Sequence, residues 1–114
     1  MSKTPYALIE LALDSLALAS TYIPHSLEEY MTNIEKQDAV TMRLQIAGES
    51  LASVRSAFPE FYKHIETPEV RNMIAIRNVI SHNYLGVDQE IVYDVVSTKI
   101  SILEEQLHII LASR

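Results

Sequence analysis

Residues 40–58 read VTMRLQIAGESLASVRSAF, and this stretch decides the fold class. Its apolar side chains recur at alternating steps of four and three residues, which places them on one face of an α-helix. They are Val40, Leu44, Ala47, Leu51, Val54 and Phe58. A helix with a single apolar face buries that face against other helices. The stretch therefore predicts a helix over 37–58 that belongs to a helical bundle.

The rest of the chain continues the helical pattern, because only two glycines and four prolines interrupt its 114 residues. Three helix starts carry a capping side chain: Thr4 before Pro5, Thr67 before Pro68, and Ser26 with Glu29. Further helices are predicted over 5–23, 27–35, 68–83 and 89–112, with a short helical turn near 60–65. No strand pattern competes, so we expect an all-α bundle of four to five helices in a single domain over 1–114.

Composition argues against several classes of protein. Nine Lys and Arg against fifteen Asp and Glu give a net charge of −6, which disfavours a broad basic surface for nucleic acid, so any phosphate site must be local. The absence of cysteine excludes disulfides and thiolate metal sites and fits the cytoplasm. Glu10 and Asp14 interrupt the apolar N-terminal run, so we predict neither a signal peptide nor a membrane-spanning helix. No metal or cofactor is expected.

The last predicted helix, 89–112, has apolar residues over about half of its circumference. One bundle core does not need an apolar face of that width. Two interpretations remain open: the helix touches two neighbours within the chain, or part of its apolar face forms a homodimer interface.

A second stretch, RNVISHNYLGVD at residues 77–88, concentrates polar groups near the end of the helix predicted over 68–83. On a helical wheel Met73, Ile76, Val79 and Ile80 form the expected buried stripe. Arg71, Asn78 and His82 lie together on the opposite side, around the small Ala75. The polar side chains therefore avoid the predicted core.

Arg77 and His82 are five residues apart, which separates them by about 140° on an ideal helix. They can meet at one target by two routes. Either the helix loosens near 83–86, where Gly86 is a candidate left-handed terminator, or Arg77 of one subunit meets His82 of another. Both routes favour a site at a helix end near an interface.

These residue types suit phosphoryl chemistry. A guanidinium clamps phosphate oxygens through paired donors, and an imidazole titrates near neutrality and can move a proton. Together Arg77 and His82 can cleave RNA without a metal, with the 2′-hydroxyl of the RNA as nucleophile. Asn78 can orient the imidazole or the phosphate. Glu49 is a candidate support for Arg71 or Arg77, although a solvated carboxylate is the simpler interpretation.

The stretch from Leu44 to Val96 resembles the HepT-like branch of the HEPN superfamily of small helical ribonucleases. The resemblance runs through roughly the last two-thirds of the chain and is most specific in the motif R-x-x-x-x-H-x-Y, followed by a glycine and an acidic residue. Its matches are Arg77, His82, Tyr84, Gly86 and Asp88. Asn78 matches the polar residue that usually follows the motif arginine.

The resemblance implies a HEPN-like bundle that forms a homodimer or a higher even oligomer. It also implies a metal-independent endoribonuclease site built from the Arg77 and His82 motifs of two subunits, and a toxin role in a type VII-like toxin–antitoxin pair. The antitoxin of such a pair is a minimal nucleotidyltransferase that uses ATP to place AMP on the motif tyrosine, here Tyr84. The attached nucleotide adds bulk and negative charge where RNA phosphate must bind.

Two other functions fit the same residues. The chain can be a non-catalytic interaction or substrate-binding module of a two-component nucleotidyltransferase complex, or a stand-alone helical protein that binds a nucleotide. Growth arrest on expression of the chain alone distinguishes the toxin from both.

Overall fold

The computed structural model describes residues 4–114. The helices are α1 Pro5–Tyr22, α2 Leu27–Met31, α3 Ile34–Ala57, α4 Pro59–Ile65, α5 Pro68–His82, α6 Gln89–Asp94 and α7 Ile100–Ala112. A 3₁₀ turn, Tyr84–Gly86, follows α5, and a π-helical segment, Val95–Lys99, joins α6 to α7. No strand occurs in this part of the chain. The predicted all-helical bundle is confirmed.

The helix starts follow the predicted capping chemistry. The hydroxyl of Thr4 accepts a hydrogen bond from the backbone N–H of Ala7 at 3.0 Å, and Thr67 accepts one from Val70 at 3.1 Å. Each cap satisfies one of the backbone donors that a helix leaves unpaired in its first turn. The proline after each threonine is accommodated because it has no N–H to lose.

The core lies between four long helical segments. α3 packs against α1 on one side and α5 on the other, while α7 packs against α1 and also contacts α5. The predicted apolar face of α3 forms the centre: Val40, Leu44, Ala47, Leu51 and Val54 are fully buried, and Phe58 is partly buried. α3 is therefore the helix that sets the position of α5, where the motif residues lie.

On α5, the predicted buried stripe is partly wrong. Met73 and Ile80 are buried, but Ile76 is only half-buried and Val79 is 61% exposed. Val70 and Ile74 are buried instead. The buried face is rotated towards α3, because α3 is the main neighbour of α5. Val79 is thereby turned towards solvent beside α6.

The last helix differs from the continuous helix predicted over 89–112, because a π-helical segment interrupts it. Its buried residues are Val92, Val95, Val96, Ile100, Leu103 and Leu107. These segments contact α1, α2, α3 and α5, so several neighbours account for part of the broad apolar face. Ile91, Ile102 and Ile109 remain 58%, 52% and 63% exposed.

Gly48 lies at a point where α3 and α5 approach each other closely. A Cβ added at Gly48 would lie 2.4 Å from Cβ of Arg77 and 2.7 Å from the backbone oxygen of Met73. Contacts that short force atoms apart, and neither partner is the free end of a flexible side chain. The two helices can hold their present separation only because residue 48 lacks a side chain.

We predict that Gly48→Ala destabilises the fold. Alanine favours a helix over glycine by about 1 kcal/mol, so helix propensity alone predicts a more stable variant. The clash with α5 should outweigh that gain, since overpacking costs roughly 1–3 kcal/mol. The net loss of up to about 2 kcal/mol should lower the melting temperature by up to roughly 10 °C. Thermal denaturation followed by circular dichroism measures it. Ser56→Ala, at an exposed position of α3, is the control, and an unchanged or raised melting temperature for Gly48→Ala would refute the close approach.

Candidate functional site

The motif residues lie along the last two turns of α5 and the turn that follows it. The helix is regular to its end, where the backbone N–H of Asn83 donates to the carbonyl of Val79 at 3.1 Å. The loosening of the helix that would let Arg77 and His82 converge within one chain is therefore not observed. Of the two predicted routes, only the meeting of two subunits remains, and it stays a prediction.

Arg77 faces α3, and its side chain is 23% exposed. Its Nε lies 2.9 Å from Oε2 of Glu49, although the N–H is not aligned well enough to form a hydrogen bond. One terminal nitrogen of the guanidinium donates to the side-chain oxygen of Asn78 at 2.9 Å. Arg77 is thus held between a carboxylate and an amide oxygen. Such contacts fix the plane of the guanidinium and leave its other donors free.

The structure therefore pairs Glu49 with Arg77, although most of the Glu49 side chain remains in contact with solvent. Arg71 pairs instead with Glu66, at 3.7 Å. Glu49 is itself 60% exposed, so its ion pair adds at most about 1 kcal/mol to stability. The main consequence of the ion pair is that it orients the guanidinium of Arg77. Asn78 is occupied by Arg77 and does not bond the imidazole.

His82 is the last residue of α5, and its side chain is exposed as predicted. Within residues 4–114 no hydrogen bond or ion pair joins His82 to Arg77. The two side chains therefore differ: Arg77 is fixed by its neighbours, while His82 faces solvent. An exposed imidazole at a helix end is accessible to a large substrate such as RNA.

The segment after His82 forms a compact turn. The side-chain oxygen of Asn83 accepts a hydrogen bond from the N–H of Gly86 at 3.1 Å. Gly86 does not have a positive φ, so its predicted role as a left-handed terminator is wrong. An added Cβ at position 86 would lie 2.2 Å from the Asn83 amide, so a side chain there would displace the carboxamide that caps the turn. Asp88 accepts from the N–H groups of Glu90 and Ile91 and caps α6.

Tyr84 lies in this turn with 38% of its surface exposed. Its hydroxyl donates to Oδ1 of Asp38 at 3.0 Å, across 46 residues of sequence. Partial burial, followed by the hydrogen bond to Asp38 and the negative charge of that carboxylate, raises the pKa of Tyr84. The hydroxyl therefore keeps its proton, in contact with a group that can accept it.

A buried polar network lies beside this pair. The hydroxyl of Tyr30 on α2 donates to the side-chain oxygen of Gln89, whose amide nitrogen donates to Thr41 at 3.1 Å. Burial raises the pKa of Tyr30 to about 12. The network joins α2, α3 and the start of α6. It thereby fixes the end of α3 that carries Asp38 relative to the segment that follows Tyr84.

An apolar groove of about 500 Å³ runs between α5 and the segments from α6 to α7. Its lining includes Ile76, Val79, Val87, Ile91 and Ile102. The motif residues Arg77, His82 and Tyr84 are not part of this lining. The groove therefore lies on a different side of α5 from the contact between Arg77 and α3.

Among residues 4–114, no three His, Asp or Glu side chains lie close enough together to bind a metal ion. None of the helices described there has the length and apolar character needed to cross a membrane.

Three structurally important residues escaped sequence reasoning or were interpreted differently. Asp38 has no local signal, because its contact with Tyr84 depends on tertiary structure. Gly48 has a signal, since a glycine in a helix interior is unfavourable unless close packing requires it. Glu49, for which support of an arginine and simple solvation were both considered, lies next to that glycine; it pairs with Arg77 and is still 60% exposed.

The family described as "Ribonuclease HepT-like" matches residues 12–110, a range that includes the whole motif stretch 77–88. A Methanocaldococcus jannaschii protein named as a "gamma-glutamylcyclotransferase and putative RNase" is 32% identical over 96 residues, which are 83% of this chain and 42% of that protein.

Two other proteins of the same organism are each named as a "putative RNase". One is 26% identical over 64% of this chain and 58% of its own length, and the other is 24% identical over 72% of each. The chain thus spans about half the length of the first two relatives. No solved structure matches it. The resemblance seen in the sequence is confirmed, and the chain belongs to the HepT-like ribonuclease family.

Proposed function

We propose that the chain is a metal-independent endoribonuclease toxin whose catalytic residues are Arg77 and His82. The observation that carries the proposal is a fixed guanidinium and a freely exposed imidazole at the end of one helix, in a chain of the HepT-like family. Asn78 supports the site by holding Arg77. The proposed substrate is RNA, because the chain belongs to a ribonuclease family, and RNA supplies a 2′-hydroxyl that can act as the nucleophile.

The proposed reaction is an internal transfer within the RNA. The 2′-oxygen attacks the adjacent phosphorus and forms a new P–O bond, while the bond to the 5′-oxygen of the next nucleotide breaks. His82 takes the proton of the 2′-hydroxyl or supplies one to the leaving oxygen. Arg77 stabilises the negative charge that grows on the phosphoryl oxygens, using the donors that Asn78 and Glu49 leave free.

We infer that two copies of the chain build each site. Within one regular helix Arg77 and His82 point about 140° apart, and nothing in the described chain brings them together. A second copy can supply the missing residue. The exposed apolar side chains of Val79, Ile91 and Ile102 beside α5 give this copy a surface to cover, and burial of such side chains favours association.

We further propose that the activity is silenced by adenylylation of Tyr84, in a type VII-like pair with a minimal nucleotidyltransferase. Tyr84 is partly exposed, and its ring lies two residues beyond His82. AMP on its oxygen would place a phosphate beside the RNA site and repel the RNA backbone.

The first prediction concerns the two catalytic residues. Arg77→Lys and His82→Ala should each lower RNA cleavage by a factor on the order of 10² or more, because each removes a group that acts on the reacting atoms. Lysine is chosen at position 77 because its stem retains the packing on α3. Cleavage of RNA by purified protein in EDTA, with growth arrest as a second readout, measures the effect.

Arg71→Ala and His64→Ala are matched controls, since both side chains are exposed and lie outside the motif. Both should cleave like the wild type. Wild-type cleavage by a folded His82→Ala variant would remove His82 from the mechanism. If the wild-type chain neither cleaves RNA nor arrests growth, the non-catalytic interaction module becomes the better description.

The second prediction tests whether two copies share a site. A mixture of Arg77→Ala and His82→Ala chains, unfolded and refolded together, should recover cleavage that neither variant shows alone. In a mixed dimer one site can combine the intact Arg77 of one copy with the intact His82 of the other. As the control, each variant is refolded separately, and the two proteins are combined only in the RNA cleavage assay. A co-refolded mixture that light scattering shows to be dimeric but that does not cleave RNA would contradict the shared site.

The third prediction concerns silencing. Tyr84→Phe keeps the ring but removes the acceptor oxygen, so the variant should arrest growth even when the proposed nucleotidyltransferase antitoxin is co-expressed. Intact mass should show a gain of one or more adenylates on the wild-type chain and none on the variant. Tyr93→Phe, which alters a half-buried tyrosine outside the motif, is the control. Full neutralisation of Tyr84→Phe with AMP on another residue would exclude Tyr84 as the target.

A further inference from the structure

The hydrogen bond between Tyr84 and Asp38 places a carboxylate directly against the hydroxyl that is proposed to be modified. Asp38 lies near the start of α3, outside the motif and outside the contact of Arg77 with Glu49. Its carboxylate accepts a hydrogen bond from the hydroxyl of Tyr84 at 3.0 Å. Both residues are exposed, so a bound nucleotide can approach the oxygen while Asp38 holds it.

We propose that Asp38 is the proton acceptor that activates Tyr84 for adenylylation. This inference rests on the proposed silencing by a nucleotidyltransferase and assigns the base for that step to this chain rather than to its partner. The observation behind it is a direct contact between a carboxylate oxygen and the hydroxyl that reacts. A general base must lie within hydrogen-bond distance of the proton it removes, and Asp38 does.

The proposed AMP transfer is a nucleophilic substitution at the α-phosphorus of ATP. The Tyr84 oxygen attacks the α-phosphorus of ATP and forms a new P–O bond, while the bond from that phosphorus to the bridging oxygen of the β-phosphate breaks. Pyrophosphate leaves, and the phenolic proton passes to the Asp38 carboxylate and then to water. No oxidant or further reactant is needed.

The surroundings of the pair favour this role. Tyr84 is a poor nucleophile while protonated, as any tyrosine is near neutral pH, and burial, then the hydrogen bond and charge of Asp38, raise its pKa further. The proton must therefore leave as the new bond forms, which is the step a positioned base assists. The network of Tyr30, Gln89 and Thr41 fixes the start of α6 against α3 and so preserves the geometry.

The same contact explains how adenylylation would change the structure around Tyr84. Once the oxygen carries AMP it has no proton to donate, and a phosphate charge lies next to the carboxylate. The attraction between Tyr84 and Asp38 is then replaced by repulsion. The modified ring has to leave Asp38, which directs the nucleotide away from α3.

The test measures the rate of adenylylation with the full chain, ATP and the purified nucleotidyltransferase that is proposed as its antitoxin. We expect Asp38→Asn to lower kcat for AMP transfer to Tyr84 by about 10²-fold or more, with little change in the KM for the chain, because docking does not need the carboxylate. Asp38→Glu should restore part of the rate. Glu35→Gln removes one negative charge from the same end of α3 without touching Tyr84, and it should behave as the wild type. Thermal melting verifies that each variant is folded.

The results distinguish a failure of the role of Asp38 from a failure of the proposed silencing. Modification of Asp38→Asn at the wild-type rate, or a loss confined to KM, overturns the role of Asp38 and leaves the silencing of Tyr84 intact. A wild-type chain that the partner and ATP do not modify overturns the silencing itself and this inference with it. Tyrosine ¹³C NMR adds a test without the partner: Asp38→Asn should lower the pKa of Tyr84, and an unchanged pKa would show that the contact is absent in solution.

Discussion

The missing side chain at Gly48 is the constraint on which the candidate site depends. It lets α3 and α5 approach so closely that the stem of Arg77 lies directly over residue 48. Glu49, the next residue, then reaches Nε of Arg77 at 2.9 Å. A side chain at position 48 would separate the helices and remove this contact. The orientation of the motif arginine is thus decided by a residue 29 positions away that carries no functional group.

α3 determines the position of both ends of the motif. Gly48 and Glu49 fix Arg77, and Asp38, ten residues earlier on the same helix, bonds Tyr84. Ten residues of α-helix span about 15 Å, so a single rigid element sets the distance between the arginine and the tyrosine. His82 lies between them in sequence, yet α3 does not bond it. The helix that forms the centre of the core therefore also organises the polar surface.

The sequence was sufficient for the fold and for the identity of the motif residues, because both are encoded locally. The steps of three and four residues in α3 and the threonine caps before Pro5 and Pro68 are properties of short segments. What the sequence did not predict depends on which helices are neighbours. The exposure of Val79, the pairing of Glu49 with Arg77 and the contact of Asp38 with Tyr84 all follow from the packing of α5 on α3. The π-helical segment at Val95–Lys99 likewise has no simple sequence signal.

The contrast between Arg77 and His82 has a thermodynamic consequence for the proposed shared site. The guanidinium is already ordered by Glu49 and Asn78, so binding a phosphate costs little further side-chain entropy there. The exposed imidazole has no such partner in the described chain, and ordering a side chain of this kind at an interface costs on the order of 0.5–1.5 kcal/mol. In the proposed shared site, a second copy and the RNA would have to bind together at His82 to offset that cost. An isolated chain would then be inactive, because the imidazole proposed to move the proton would not be positioned until the assembly forms.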